Sequence, residues 1–372
     1  MNLKSKFSIA IQMLVASILI AVLLVACGGG YDNGGYGGYG GGGYGSGFER
    51  SYTASAGVGE VLQFSVDTTR LTYSYSVEYT AYASSGVSSG QSGTGALTNN
   101  GDETYLVGQS NDNFIQSGKV FPKQYGLLVG HVVISRIGGT AEIPVFGLSN
   151  PITSIARLAG TFNYQGFSCS VLGIANVAGN TNCLSHYGTL TVTSIGAYTE
   201  CTSGDITNKT INPCTTTSTG TINALTATPG VFDLYNASNQ HIGWFFAFTA
   251  HNGQTVAVID HDDASALEYG HSVLSTYATV VPGSVDGNYF VKNNEGVESL
   301  VTILGSNMTS TAHSGVTGTL AYNSPWNGLE FFQFAASGVD PAASGIAMVA
   351  DRGAYTNNSN SDPALFAVGL RY

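Results

Sequence analysis

The chain has 372 residues, only 9% of them charged, and a formal net charge of −11. Globular proteins usually devote about a quarter of their residues to charge. With 12 basic residues against 23 acidic ones, the chain lacks the basic patch that phosphate binding needs, which argues against nucleic acid as a partner.

Lys4 and Lys6 precede an apolar run from Phe7 to Ala26, interrupted only by Ser8, Gln12 and Ser17. A basic start before an apolar stretch reads as a secretory signal. The run is also nearly long enough to span a bilayer, which takes about 20 residues, so an uncleaved anchor is the competing reading. Leu24-Val25-Ala26-Cys27 resembles the lipobox of bacterial lipoproteins. That resemblance covers residues 1–28. It implies that residues 1–26 are a signal peptide cut before Cys27, that the Cys27 sulfur carries a diacylglyceryl group, and that the new amino terminus is acylated, for instance with palmitate. Without Lys4 and Lys6 the mature chain keeps 10 basic and 23 acidic residues, a formal −13. Several acyl chains, at about 0.8 kcal/mol per buried methylene, hold a protein to a membrane far more firmly than one. An Asp after the lipidated cysteine would imply retention in the inner membrane of a diderm cell. Gly28 stands there, so the resemblance implies the outer membrane, on its periplasmic or surface face.

Residues 27–50 come next. Positions 28–47 hold 13 glycines together with Tyr31, Tyr36, Tyr39 and Tyr44. This composition reads as a flexible tether, with a root-mean-square reach of about 25 Å for twenty residues.

Strand signals begin near Val61. "EVLQFSVD" and "RLTYSYSVEYTAY" alternate apolar and polar residues with the period of a half-buried strand. "GALTNNGDETYLVG" predicts a hairpin at Asn100-Gly101, and "YGLLVGHVVIS" a more buried strand. The pattern stops at "SNPITSIARLAG", where a short helical turn is predicted. Residues 51–155 are therefore expected to form a β-sandwich-like domain.

After this break, strand and turn signals recur to the end of the chain. "HYGTLTVTS" and "GAYTEC" predict one hairpin, "GVFDLYNASNQHIGWFFAF" a second, and "FFAFTAHNGQTVAVID" a third at Asn252-Gly253. The gaps are too short for helical crossovers, so the strands should be antiparallel. In "HIGWFFAF", Ile242, Trp244, Phe246 and Phe248 share one face, taken as the inside of a barrel. The expectation is an all-β protein whose residues 156–372 form one antiparallel meander barrel, or a second sandwich. This layout on a lipidated chain resembles surface lipoproteins of the transferrin-binding type, in which sandwich-like handles accompany eight-stranded barrels.

With Cys27 spent on lipid, Cys169, Cys183, Cys201 and Cys214 remain. In an exported protein four cysteines predict two disulfides. Of the three possible connectivities, Cys169–Cys183 with Cys201–Cys214 is favoured, since each pair closes a short loop; a four-thiol zinc site is the rival, but its usual Cys-x2-4-Cys spacing is absent.

No catalytic residue is singled out. Gly86-Val87-Ser88-Ser89-Gly90 matches G-x-S-x-G but continues as a polar loop, without the helix that a nucleophile elbow needs. His241, His251, His261 and His271 recur every ten residues, a spacing that could gather imidazoles for a transition metal or haem, but their predicted contexts differ and four isolated surface histidines are the favoured reading. Asp260, Asp262 and Asp263, with Glu268 and His271 nearby, form an acidic segment that could hold Ca²⁺ or a transition metal, although an EF-hand glycine is missing. A solvated acidic loop is the plainer reading. Trp326 in "YNSPWNG" and Trp244 are candidate ligand contacts. The function expected is that of a surface-exposed, non-enzymatic binding or display module for an envelope or extracellular ligand, with no cofactor. A metal-dependent envelope enzyme, or a metal- or haem-binding protein, using the Asp260–His271 segment is the alternative.

Overall fold

The computed structural model describes residues 47–57, 59–80, 86–123, 125–137, 139–170, 183–203, 216–250, 253–263, 268–293, 297–313, 316–337, 342–350, 353–359 and 366–371. The signal, residues 27–46 of the tether with Cys27, Cys214 and His251 lie outside them, while Glu49 and Arg50, at the expected end of the tether, begin the strand Glu49–Ser55. About two thirds of the described residues are strand, and no helix among them is long and apolar enough to cross a membrane. The strands form three closed barrels of eight, each strand pairing antiparallel with the next in sequence. The all-β expectation is met.

The first barrel runs from Glu49–Ser55 to Gly139–Leu148 and closes where Thr53 and Ala54 pair with Leu148 and Gly147. A sandwich-like module was the expectation, and the sheet instead curls onto itself. Its lumen explains why. Tyr52, Phe64 and Tyr75 follow one another across three strands, and the next position in that row is Gly93. A Cβ on Gly93 would lie 2.8 Å from the Tyr75 ring, and one on Gly95 2.5 Å from Tyr73. Bare backbone opposite large rings lets a small barrel close around them.

The second barrel runs from Gly160–Ser170 to Glu268–Thr276, and these two strands pair to close it. The third runs from Gly287–Asn293 to Phe366–Arg371 and closes in the same way. The single barrel expected over 156–372 is thus two. Pro282-Gly283 lies in the connection between them, and a proline cannot donate to a sheet ladder, so the strand series breaks there.

The core is shared between the barrels. The second lumen is filled by Phe162, Tyr164, Leu190, Tyr198, Phe232, Phe245, Ala257 and Leu274. Trp244, Phe246 and Phe248, expected inside, point outward and join one apolar cluster with the first barrel and with Phe290, Phe366, Val368 and Leu370 of the third. An eight-stranded lumen has little room, so the bulkier face of this strand packs between barrels. On the last strand, Phe366, Val368 and Leu370 likewise turn to one face and are buried in this cluster. A polar network also bridges the first and third barrels. The buried Lys292 ammonium meets Glu142 at 2.9 Å, and Lys119 meets Glu298 at 2.9 Å.

Cys169 and Cys183 face each other across one hairpin and form a disulfide. Cys201 is also disulfide-bonded, while its predicted partner Cys214 is outside the described residues. The Cys169–Cys183 bridge closes a loop of 14 residues, which corresponds to about 3 kcal/mol of stabilisation through the unfolded chain. The double variant Cys169→Ala/Cys183→Ala should lose about that much in a denaturant titration.

Candidate functional site

Alternation along Thr255–Asp263 sends Val256, Val258, Asp260 and Asp262 to the outer wall of the second barrel, and Ala257, Ile259 and His261 into its lumen. Asp260 pairs across the strands with His271, and both are fully buried. They are covered by the first barrel, which brings Ser55 and Glu60 to the same junction. Ser55 Oγ stands 3.4 Å from His271 Nδ1. Gly57, at φ +65, lies so close that a Cβ would be 3.1 Å from His271 Nδ1 and 3.4 Å from Phe167. Only glycine combines that φ with that approach. Phe366 of the third barrel touches the other side of the imidazole, with ring centroids 5.5 Å apart.

Burial sets the charges here. Glu60 and Asp260 are pushed well above the ordinary carboxyl range, chiefly by loss of water, and each is raised further by Asp262. Ser55 approaches Asp260 and offsets part of this, yet neither Asp260 oxygen meets a donor in hydrogen-bond geometry. Burial therefore favours the protonated form of both groups. Asp262 is paired instead: His241 Nδ1 lies 3.6 Å from it, and His241 Nε2 lies 3.3 Å from Asp233. Burial pulls the His241 pKa down, but the two carboxylates outweigh it and the net shift is upward. Burial drives His271 down to about 3, with His186 adding to the effect.

A second polar group lies inside the lumen. His186 Nε2 and His261 Nε2 stand 2.9 and 2.8 Å from the Ser272 hydroxyl. Burial lowers the pKa of both imidazoles, so they are neutral. One must donate to the hydroxyl oxygen while the other accepts its proton. A hydroxyl between imidazoles has the parts of a nucleophile and its base. Ser272, however, is only 1% exposed, which leaves no approach for a substrate carbonyl.

The predicted site residues therefore separate. Asp260, Asp262 and His271 share one wall, while Asp263 has its backbone on the same strand and its side chain outside the described set. His241 and His261 fall on different faces. Among the described residues no three His, Cys, Asp or Glu side chains are arranged to hold a metal ion. Trp244 is buried and stacked on Tyr79 of the first barrel, with centroids 5.2 Å apart. Trp326 is half-buried. Its Nε1 donates to Asn163 at 2.7 Å, its ring lies against Tyr187, and it thereby clips a third-barrel loop to the second barrel. Both indoles are committed to contacts between barrels. Glu60, His186 and Ser272 were not singled out from sequence. Glu60 opens "EVLQFSVD", where a strand-edge acid reads as solvated.

These features define an all-β protein of three eight-stranded meander barrels that buries ionisable groups in its second and third lumens and at the barrel junctions. Neither a protein-family model nor a curated protein sequence matches the chain.

Proposed function

We propose that this chain is a lipid-anchored, non-enzymatic binding or display module of the bacterial outer membrane. The observation that carries the reading is Leu24-Val25-Ala26-Cys27, closing an apolar run and followed by the glycine-tyrosine segment. The closed barrels are consistent with it, because closure removes the sheet edges that invite aggregation in a body with few charged residues. Growth with labelled palmitate tests the anchor. Label should enter the wild-type protein and be absent from Cys27→Ala, which should also leave the membrane fraction. An unlabelled wild type, or a labelled variant, would overturn the reading. Protease treatment of intact cells then assigns the face, since degradation requires surface exposure.

A metal-dependent role for the Asp260–His271 segment is the second reading. It is favoured by the Asp260 oxygens, one oxygen each of Glu60 and Asp262, and His271 Nε2, all buried without hydrogen-bond partners. A metal analysis of the purified protein separates the two, since stoichiometric metal is expected only under the second.

A further inference from the structure

The lumen of the third barrel is unevenly filled. Toward the end where Gly287–Asn293 finishes and Phe366–Arg371 begins, it holds a cavity of about 190 Å³. Val301, Met308, Phe332, Phe334 and Ala367 supply apolar walls, and His313 and Asn357 add polar groups. The two phenylalanines meet edge to face, with centroids 6.1 Å apart, and His313 stacks on Phe334 at 4.9 Å. Such walls suit the face and edge of one further ring, and the Met308 sulfur is a favourable neighbour for it.

Size and polarity narrow the occupant. A dry apolar cavity of about 150 Å³ accommodates benzene, so this one fits a single ring with a short substituent. His313 Nδ1 is screened from solvent and has no hydrogen-bond partner, a costly state for an imidazole nitrogen. A hydroxyl can donate or accept, and so satisfies either tautomer.

We propose that the third barrel binds a small monocyclic aromatic molecule carrying one hydroxyl group, its ring between Met308, Phe332 and Phe334 and its hydroxyl on His313. This deepens the reading of the chain as a binding module, by naming a site and a ligand class, and it does not depend on the lipid.

The probes are p-cresol and toluene, titrated calorimetrically into the full-length protein in lipid nanodiscs. Saturable p-cresol binding is expected. Ala367→Phe, which fills the cavity, should abolish it, and Ala343→Leu at the lining should do the same if the first variant fails to fold; a melt of each reports folding. His313→Phe should weaken p-cresol about fivefold, the value of one ordinary hydrogen bond, and leave toluene unchanged. Absent binding by the wild type, binding that survives both filling variants, or equal effects of His313→Phe on the two probes would overturn the proposal. None of these outcomes alters the palmitate result, so the two readings fail separately.

Discussion

Phe246→Ala is expected to destabilise all three barrels together by about 3–5 kcal/mol, the usual cost of deleting a buried phenylalanine ring. Phe246 is fully buried on the outer wall of the second barrel, opposite Val258, in the apolar cluster that also holds the first-barrel interior and the outer face of the last strand. The cavity left by the ring would open between barrels, so no barrel could keep its packing while another lost it. Phe245→Ala removes an equally buried ring one residue earlier, from the second lumen, and should cost about as much. Scanning calorimetry should give one transition for the wild type and for both variants, with calorimetric and van't Hoff enthalpies in agreement. The fluorescence of Trp244, on the first-barrel junction, and of Trp326, on the third-barrel junction, should change at the same midpoint. Two separated transitions, with only one displaced by Phe246→Ala, would show that the barrels are independent domains.

This shared core also explains which parts of the fold were readable from sequence. Period-two alternation locates single strands and turns, because each strand shows one face to apolar packing whatever lies beyond it. The hairpins joining Val231–Asn236, His241–Thr249 and Thr255–Asp263 follow the turns read from sequence, and Cys169–Cys183 joins neighbouring strands as its spacing suggested. Alternation does not say which face is the lumen. Trp244, Phe246 and Phe248 carry the stronger apolar signal because they are buried between barrels, while Phe245 and Ala247 fill the lumen. Closure was equally hidden: it depends on Gly93 standing opposite Tyr75, a pairing across strands that no linear pattern displays. The ten-residue histidine repeat fails for a related reason. Every hairpin resets which parity faces inward, so His261 enters the lumen while His271, on the next strand, lies on the outer wall. The junction acids were invisible as a group because Glu60 and Asp260 are 200 residues apart and meet only when two barrels pack.

Neutralising that junction should make the protein more stable at alkaline pH. Glu60 and Asp260 have folded pKa values well above those of the unfolded chain, so the folded state binds more protons. Their stabilising contribution is complete below about pH 4, where unfolded carboxyls are protonated, and is lost as pH rises through the folded values. The imidazoles with depressed pKa act in the opposite sense. His271, His186 and His261 have depressed folded values, so their contribution is full above about pH 6.5, the unfolded value, and is lost as pH falls from there toward the folded values. Above that pH the carboxyls dominate, joined with the same sign by His241, whose pKa is raised, and by Glu330, which is buried in the third lumen. In denaturant titrations from pH 4 to 9, Glu60→Gln/Asp260→Asn should gain about 3 kcal/mol at pH 8, because the wild-type carboxyls ionise on unfolding there, at about 1.4 kcal/mol per unit of pKa difference. At pH 4 it should match the wild type, because the amides are isosteric with the protonated acids. The slope that remains above pH 6.5 should shrink further when His241→Gln is added. A double variant that is instead less stable at pH 8, beside a wild type stabilised by Ca²⁺ or Zn²⁺, would mean that the carboxyls are ionised around a cation. The metal-dependent reading of Asp260, Asp262 and His271 would then replace that of a junction closed by bound protons.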